Sequence, residues 1–183
     1  SGWRKNYGRY LNNLSTDRKI EFMGDICLNA QLTMYFDDGT EICVPTDDSW
    51  SYDTGAAEYA HLFNGEVYNE NREDSTWCTL GLKNGKGVRY SDFSAGRLVP
   101  QTVEPVCIKR EIQPIRNYRL NGKIIYDFGE NFAGTVRIRG IIKSPNGARI
   151  VIRHAEETDE SGELYTASLR SAEAKDTYIS RSG

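Results

Sequence analysis

The sequence predicts an all-β protein of antiparallel β-sandwich architecture, and three observations lead there. Short apolar runs alternate with polar residues in period two, as half-buried strands do. Glycine, asparagine and proline punctuate those runs at hairpin spacing. Nothing outside one short stretch near residue 170 is convincingly helical, and many short strands with Gly and Pro turns point to a sandwich. The 183 residues, 38% hydrophobic and 27% charged, provide for a core and for one large or two small domains.

Taken in order, residues 1–24 are polar and Asn-rich, with no sustained period. The opening SGWRKNYGRY has neither a starting Met nor a signal-peptide pattern and reads as a cut or processed end. In ICLNAQLTMYFDDGTEICVPTDDSW, Ala30, Leu32, Met34 and Phe36 fall on one face and Asn29, Gln31, Thr33 and Tyr35 on the other. That is a half-buried strand; DDGT is the hairpin turn and EICVPT the return strand, with Pro45 at an edge or a strand end. Residues 51–95 read as loop-rich, with Tyr52, Tyr59, Phe63, Tyr68, Trp77, Tyr90 and Phe93 spaced through them and a turn at KNGKG, 83–87. GRLVPQTVEPV, 96–106, is an extended connector. It divides the chain into units 1–100 and 101–183.

Strands resume with VCIKREI from 106, KIIYDF from 123, GTVRIRGII from 134 and ARIVIRHAE from 148, the last two separated by a Pro145-Asn146-Gly147 turn. In the third, Val136 and Ile138 point inward and Arg137 and Arg139 outward. ASLRSAEAK, 167–175, makes one or two helical turns, and DTYISRSG is a final strand.

Composition excludes several functions. A net charge of −3 without a block of like charges argues against a phosphate-bound nucleic-acid partner. No apolar run approaches the ~20 residues of a membrane span. Cysteines 27, 43, 78 and 107 have no CxxC spacing, which disfavours zinc, and the Asp38-Gly39 turn sets Cys27 opposite a residue near 50 rather than Cys43. All four are read as unbridged thiols. No GxSxG, P-loop, HExxH or dinucleotide fingerprint is present.

Three clusters carry chemistry-bearing residues. Asp127, Glu130 and Glu156 are candidate paired carboxylates; the plainer reading has Asp127 and Asn131 bonding turn backbone around Gly129 and Gly134. His154 and Glu156 share a strand face, either as an acid–base or metal pair or as a histidine satisfied by a neighbouring carboxylate. The acidic run Glu156, Glu157, Asp159, Glu160 and Glu163 lacks the order of a calcium loop and reads as solvated. FNGEVYNENRE, 63–73, offers the Tyr68 ring, the Asn69 amide and the acids Glu66, Glu70 and Glu73 on a loop or strand rim, with Trp77 close behind. Sugars are held by flat apolar faces and bidentate polar groups, and calcium by oxygens, so this stretch suits either ligand or simple strand-end packing.

The ordered elements TDDSW, GEVYN, LVPQTVEPV, YDFGENFAGTVRIRG and IRHAEETDESGELYTASLRSAEAKDTYI resemble the bacterial α-L-rhamnosidases, glycoside hydrolase family 78, over nearly the whole chain and most strongly from 96 to 183. The resemblance implies two sandwich units of jelly-roll or concanavalin-like type, both clipped relative to the family. It also implies a bacterial source, in cytoplasm or periplasm. Family members place their inverting carboxylates in an (α/α)6 barrel, which this strand-patterned sequence lacks. The resemblance therefore implies no catalytic residue here, a chain inactive alone, and the rest of the parent enzyme and a rhamnose-containing carbohydrate as partners. Asp127, Gly129, Asn131, Gly134, His154 and Glu156 become marks of the family's structure. The family's G-E-x-Y-D motif, associated with L-rhamnose and Ca2+, reads G-E-V-Y-N here, leaving Asn69 and Glu70 as weak calcium candidates and Glu66, Tyr68, Asn69, Glu70 and Trp77 as sugar-binding candidates. A stand-alone carbohydrate-binding module is the alternative. Clipped sandwiches also imply exposed edges and self-association.

Overall fold

A computed structural model describes residues 26–80, 85–91, 99–140 and 147–181. Among these residues the regular structure is all strand, apart from two 3-10 turns at Glu70–Arg72 and Ala167–Leu169. The expectations for residues 1–24, for Phe93, and for parts of the turns at 83–87 and 145–147 lie outside the described residues.

The first hairpin forms where the alternation and the DDGT turn put it. Strand β1 (Gln31–Tyr35) pairs antiparallel with β2 (Glu41–Pro45), and Asp38 Oδ1 accepts the Thr40 N–H at 2.8 Å across the turn. Leu32 faces Val44 and Met34 faces Ile42, so the apolar residues share one side. Cys43 faces Thr33, and Pro45 closes the ladder opposite Gln31.

Residues 51–95 are richer in strand than their sequence suggests. Strand β3 (Ser51–Tyr52) pairs with β6 (Lys86–Gly87), while β4 (Ala57–His61) and β5 (Gly65–Asn69) form an antiparallel pair joined by a turn at 62–64. The reading as loop missed β4 and β5 because AEYAH and GEVYN carry Ala, Glu, Gly and Asn, all depleted in strands. Their neighbours, not their propensity, make them strands.

Downstream, β7 (Arg116–Leu120) and β8 (Lys123–Asp127) form a tight hairpin. Asn121 and Gly122 both have positive φ (48° and 75°), the geometry that matches strand twist in a two-residue turn. Strands β9 (Arg149–Arg153) and β10 (Lys175–Ile179) form at ARIVIRHAE and DTYISRSG, where strands are expected, and the structure pairs them antiparallel. The runs from 106 and from 134 are a correction: through 106–112 and 134–140 the chain forms no ladder. Instead Glu111 bridges Arg137 (2.7 Å) and Arg139 (3.3 Å), and Val136 and Ile138 stay about half exposed. Alternation supplies a face but not a partner, and among the described residues neither run finds one.

The largest sheet has the order β4-β5-β10-β9. Its central pair, β5 and β10, is parallel, against the all-antiparallel expectation. A parallel pair needs a crossover rather than a hairpin, and the crossover here runs through everything between residues 69 and 175. The most buried side chains cluster at this sheet and the β8 hairpin: Ala56 and Ile125 among apolar residues, Asn64, Thr177 and Ser180 among polar ones.

Candidate functional site

The end of β5 gathers most of the residues singled out in the sequence. Strand alternation places Glu66 and Tyr68 on one face and Asn69 on the other. Tyr178 of β10 lies directly across from Tyr68, and their rings stack 6.1 Å apart at 7°. Glu70 opens the 3-10 turn that follows and Glu73 caps its end, while Asn69 caps its start by accepting the Asn71 N–H at 3.1 Å.

The polar groups of this cluster are bonded to one another. Tyr68 donates its hydroxyl proton to Glu73. Tyr178 donates to Glu70 Oε2 at 2.8 Å, and the same oxygen accepts the Arg181 backbone N–H at 2.7 Å. Asn69 Nδ2 donates to Glu58 Oε1 at 2.9 Å, which also receives Arg72 at 3.3 Å. The Arg181 N–H and the Tyr178 hydroxyl hold the Glu70 carboxyl below the usual glutamate range, and Asn69, then Arg72, lower Glu58 in the same way. Hydrogen bonding to Glu73 and Glu70 raises the Tyr68 and Tyr178 phenols above the usual range.

Not every candidate joins the cluster. Trp77 is 67% exposed in the turn beyond it and makes no ring contact with Tyr68. Glu66 contributes its backbone N–H, which donates to Asp176 Oδ1 at 2.8 Å. Glu58, Arg72, Tyr178 and Arg181 are the members that the sequence reading missed. Tyr178 was visible in the DTYI element; the others are ordinary charges whose convergence depends on the sheet.

For calcium, the donor set fits poorly. Asn69 Oδ1 accepts two bonds from Asn71, and Glu70 Oε2 accepts two from β10 and its extension. Among the described residues no group of three or more His, Cys, Asp or Glu side chains is arranged to hold a metal ion.

The other two clusters are dispersed. Asp127 accepts the Gly129 N–H at 2.8 Å and pairs with Arg116 at 2.8 Å, and those two bonds, in that order, lower its carboxyl. Glu130 pairs instead with Arg110 at 2.6 Å. Gly129 takes φ 74° at the bend, and Asn131 and Gly134 lie in the irregular run that follows. His154 Nε2 lies 2.9 Å from Asp176 Oδ2, so its carboxylate partner is Asp176 of β10 and not Glu156, which sits exposed past the end of β9. Asp159 bonds the hydroxyl and N–H of Ser161 and the N–H of Glu163, and Glu163 in turn receives Asn121 and Lys123. The acidic run is thus partly a turn packed on the β7–β8 hairpin.

Comparison with known proteins gives this arrangement a context. Residues 2–110 match the model of the α-L-rhamnosidase N-terminal domain, and residues 119–183 match that of the bacterial α-L-rhamnosidase concanavalin-like domain. The chain belongs to the α-L-rhamnosidase family. It is 32% identical over 176 residues to an α-L-rhamnosidase of Streptomyces avermitilis, covering 93% of this chain and 17% of that protein. An α-L-rhamnosidase of Alteromonas sp. is 30% identical over 155 residues, covering 82% of this chain and 16% of the relative. The chain therefore spans about one sixth of the length of these relatives.

Solved α-L-rhamnosidases share the fold. The Streptomyces avermitilis enzyme, complexed with L-rhamnose, superposes with a TM-score of 0.77 at 31% identity, covering 85% of this chain and 15% of that one. The native enzyme from Aspergillus terreus gives 0.76 at 29%, covering 84% of this chain and 18% of that one. The all-β architecture is thus that of the corresponding portion of the α-L-rhamnosidases, and the β5 cluster lies in the N-terminal-domain match while Tyr178 and Arg181 lie in the concanavalin-like match.

Proposed function

We propose that this chain is a non-catalytic β-sandwich portion of an α-L-rhamnosidase, one that hydrolyses terminal α-L-rhamnosyl residues by inversion, and that it supports the catalytic barrel of the parent. The observation carrying this reading is the internal commitment of its acids. An inverting pair needs one carboxyl with a raised pKa and a second on the far side of the scissile bond. Asp127, Glu58 and Glu70 are instead lowered by hydrogen bonds from their own chain. Asp127 and Glu130 are each drawn to a different arginine.

The same commitment ranks sugar binding below support. Tyr68, Asn69 and Glu70 would have to exchange bonds made at 2.9 Å or less, or to Glu73, for bonds to hydroxyls. An aryl α-L-rhamnoside incubated with this chain alone should give no product. Turnover that disappears in Asp127→Ala would overturn the reading. Isothermal calorimetry with L-rhamnose, with calcium and with chelator, separates the binding-module alternative: heat abolished by Tyr68→Ala would establish it.

Self-association belongs to the same proposal. Leu32, Ile42 and Val44 on the β1–β2 hairpin and Ile124 and Tyr126 on β8 are all well exposed. Sedimentation should show mass above the monomer that grows with concentration; a monomer throughout would count against it.

A further inference from the structure

We infer that the two family regions of this chain are not separable domains but one cohesive body, so that a chain cut in the connector between them stays together without the covalent link. The inference goes beyond the supporting role above and does not depend on it. Two matches that meet near residues 110–119 suggest two modules on a string, and the exposed, ladder-free run 99–112 has the place of the string.

The bonds argue otherwise. Residues 63–73, from the N-terminal match, and 173–181, from the concanavalin-like match, are joined along their whole length. Phe63 O accepts the Ala174 N–H at 3.0 Å and Asn64 O accepts Lys175 at 3.1 Å. The Glu66 N–H donates to Asp176, and Val67, Tyr68 and Asn69 then run in parallel register with Thr177, Tyr178 and Ile179. The seam closes on Tyr178 and Arg181 bonded to Glu70, and on Asn71 Nδ2 donating to Ser180 O at 3.2 Å. A β-carbon on Gly65 would sit 2.3 Å from Lys175 O and 2.6 Å from Asp176 Oδ1, so the two backbones approach as closely as glycine alone permits. A sheet interior divided between two modules leaves each half with an open, hydrogen-bonding strand edge when they part. The half that 119–183 would lose is the whole parallel partner of β10.

The test uses the full chain with a specific protease sequence inserted after Val103, in exposed connector. After complete cleavage, gel filtration in native buffer should return both pieces in one peak. Separate elution of the two pieces overturns the inference. In Gly65→Val the cut pieces should come apart; if they co-elute as before, the β5–β10 seam is not what holds them, and its assignment as the fastening is overturned. Should Gly65→Val not fold before cutting, the double variant Glu70→Gln, Tyr178→Phe takes its place. Its circular dichroism should match the parent before cutting, and its cut pieces should separate at a lower urea concentration. An unchanged separation midpoint overturns the assignment of the seam.

Discussion

Two stretches of this protein look alike in sequence and behave differently in space. GEVYNENRE (65–73) and DFGENFAG (127–134) each combine glycine, acids and asparagine within nine residues. In the second, the bonds are local: Asp127 holds the Gly129 N–H two residues on, and its ion pair is to Arg116 across a hairpin. In the first, local bonds (Tyr68 to Glu73, Asn71 to Asn69) are joined by distant ones: Glu66 and Glu70 reach Asp176 and Arg181, 110 and 111 positions away. The local stretch shapes a turn, while the distant one fastens two family regions. A cluster's composition therefore says little about its role until the sequence separation of its partners is known.

The largest expected effect comes from placing a β-carbon in each stretch. Gly65 and Gly129 both have positive φ, 93° and 74°, so both substitutions strain the backbone. At Gly65 the new atom meets the Lys175 carbonyl, which is backbone and cannot move without opening the sheet. At Gly129 it meets Ile115 Cδ1 at 2.7 Å, the end of an exposed side chain that can turn away. Gly65→Ala should cost about 3 kcal/mol or more, and Gly129→Ala about 1 kcal/mol, measured by urea denaturation. Equal losses would erase the distinction between the fastening and the shaping stretch.

A smaller effect distinguishes the seam by pH. The Arg181 N–H and the Tyr178 hydroxyl lower Glu70, so its contribution is present above the ordinary glutamate value of 4.5 and is lost as pH falls through the lowered one. Tyr68 and Tyr178 are raised, so their contribution is present below 10 and is lost as pH rises through the raised values. Stability should thus have a neutral plateau with a shoulder at each end. Glu70→Gln should flatten the acid shoulder relative to the parent and weaken the Tyr178 part of the alkaline one, while the Tyr68 part, set first by Glu73, stays. An acid shoulder unchanged in the variant would mean that other carboxylates, such as Asp127, set it.

How much of this was legible follows the same distinction. The β1–β2 hairpin could be read directly, because Leu32, Met34, Ile42 and Val44 alternate and DDGT closes the turn within the same stretch. The β7 strand was missed and a strand was read from 106 instead, because RNYRL has little alternation while VCIKREI has the alternation and no partner. Tyr68, Asn69 and Glu70 were legible as a group from the ring, amide and acids packed into FNGEVYNENRE, before the family's motif pointed to the same place. Their pairing with Tyr178, a residue visible only as part of the DTYI element, and with Arg181 was not, since a parallel pairing across more than a hundred residues leaves no local signature. The histidine is satisfied by a carboxylate at a strand end, as the plainer reading has it, but which one was not legible: Glu156 is near in sequence, while Asp176 is near in space.

The smallest expected effect has the opposite sign and lies on the other face of the seam. Thr177 is 3% exposed, between Val67 of β5 and Val151 of β9, and its hydroxyl has no hydrogen-bond partner among the described residues. Valine replaces that hydroxyl with a methyl of nearly the same shape, keeps the β-branch a central strand favours and removes an unmet donor. Thr177→Val should therefore raise stability by about 1 kcal/mol. Because Thr177 sits at the first register pair of the parallel ladder, the gain should also appear as tighter association of the cut chain. A loss of stability would mean that the hydroxyl is partnered in solution, and the face of β10 away from Tyr178 would then belong to the polar fastening rather than to the apolar packing beneath it.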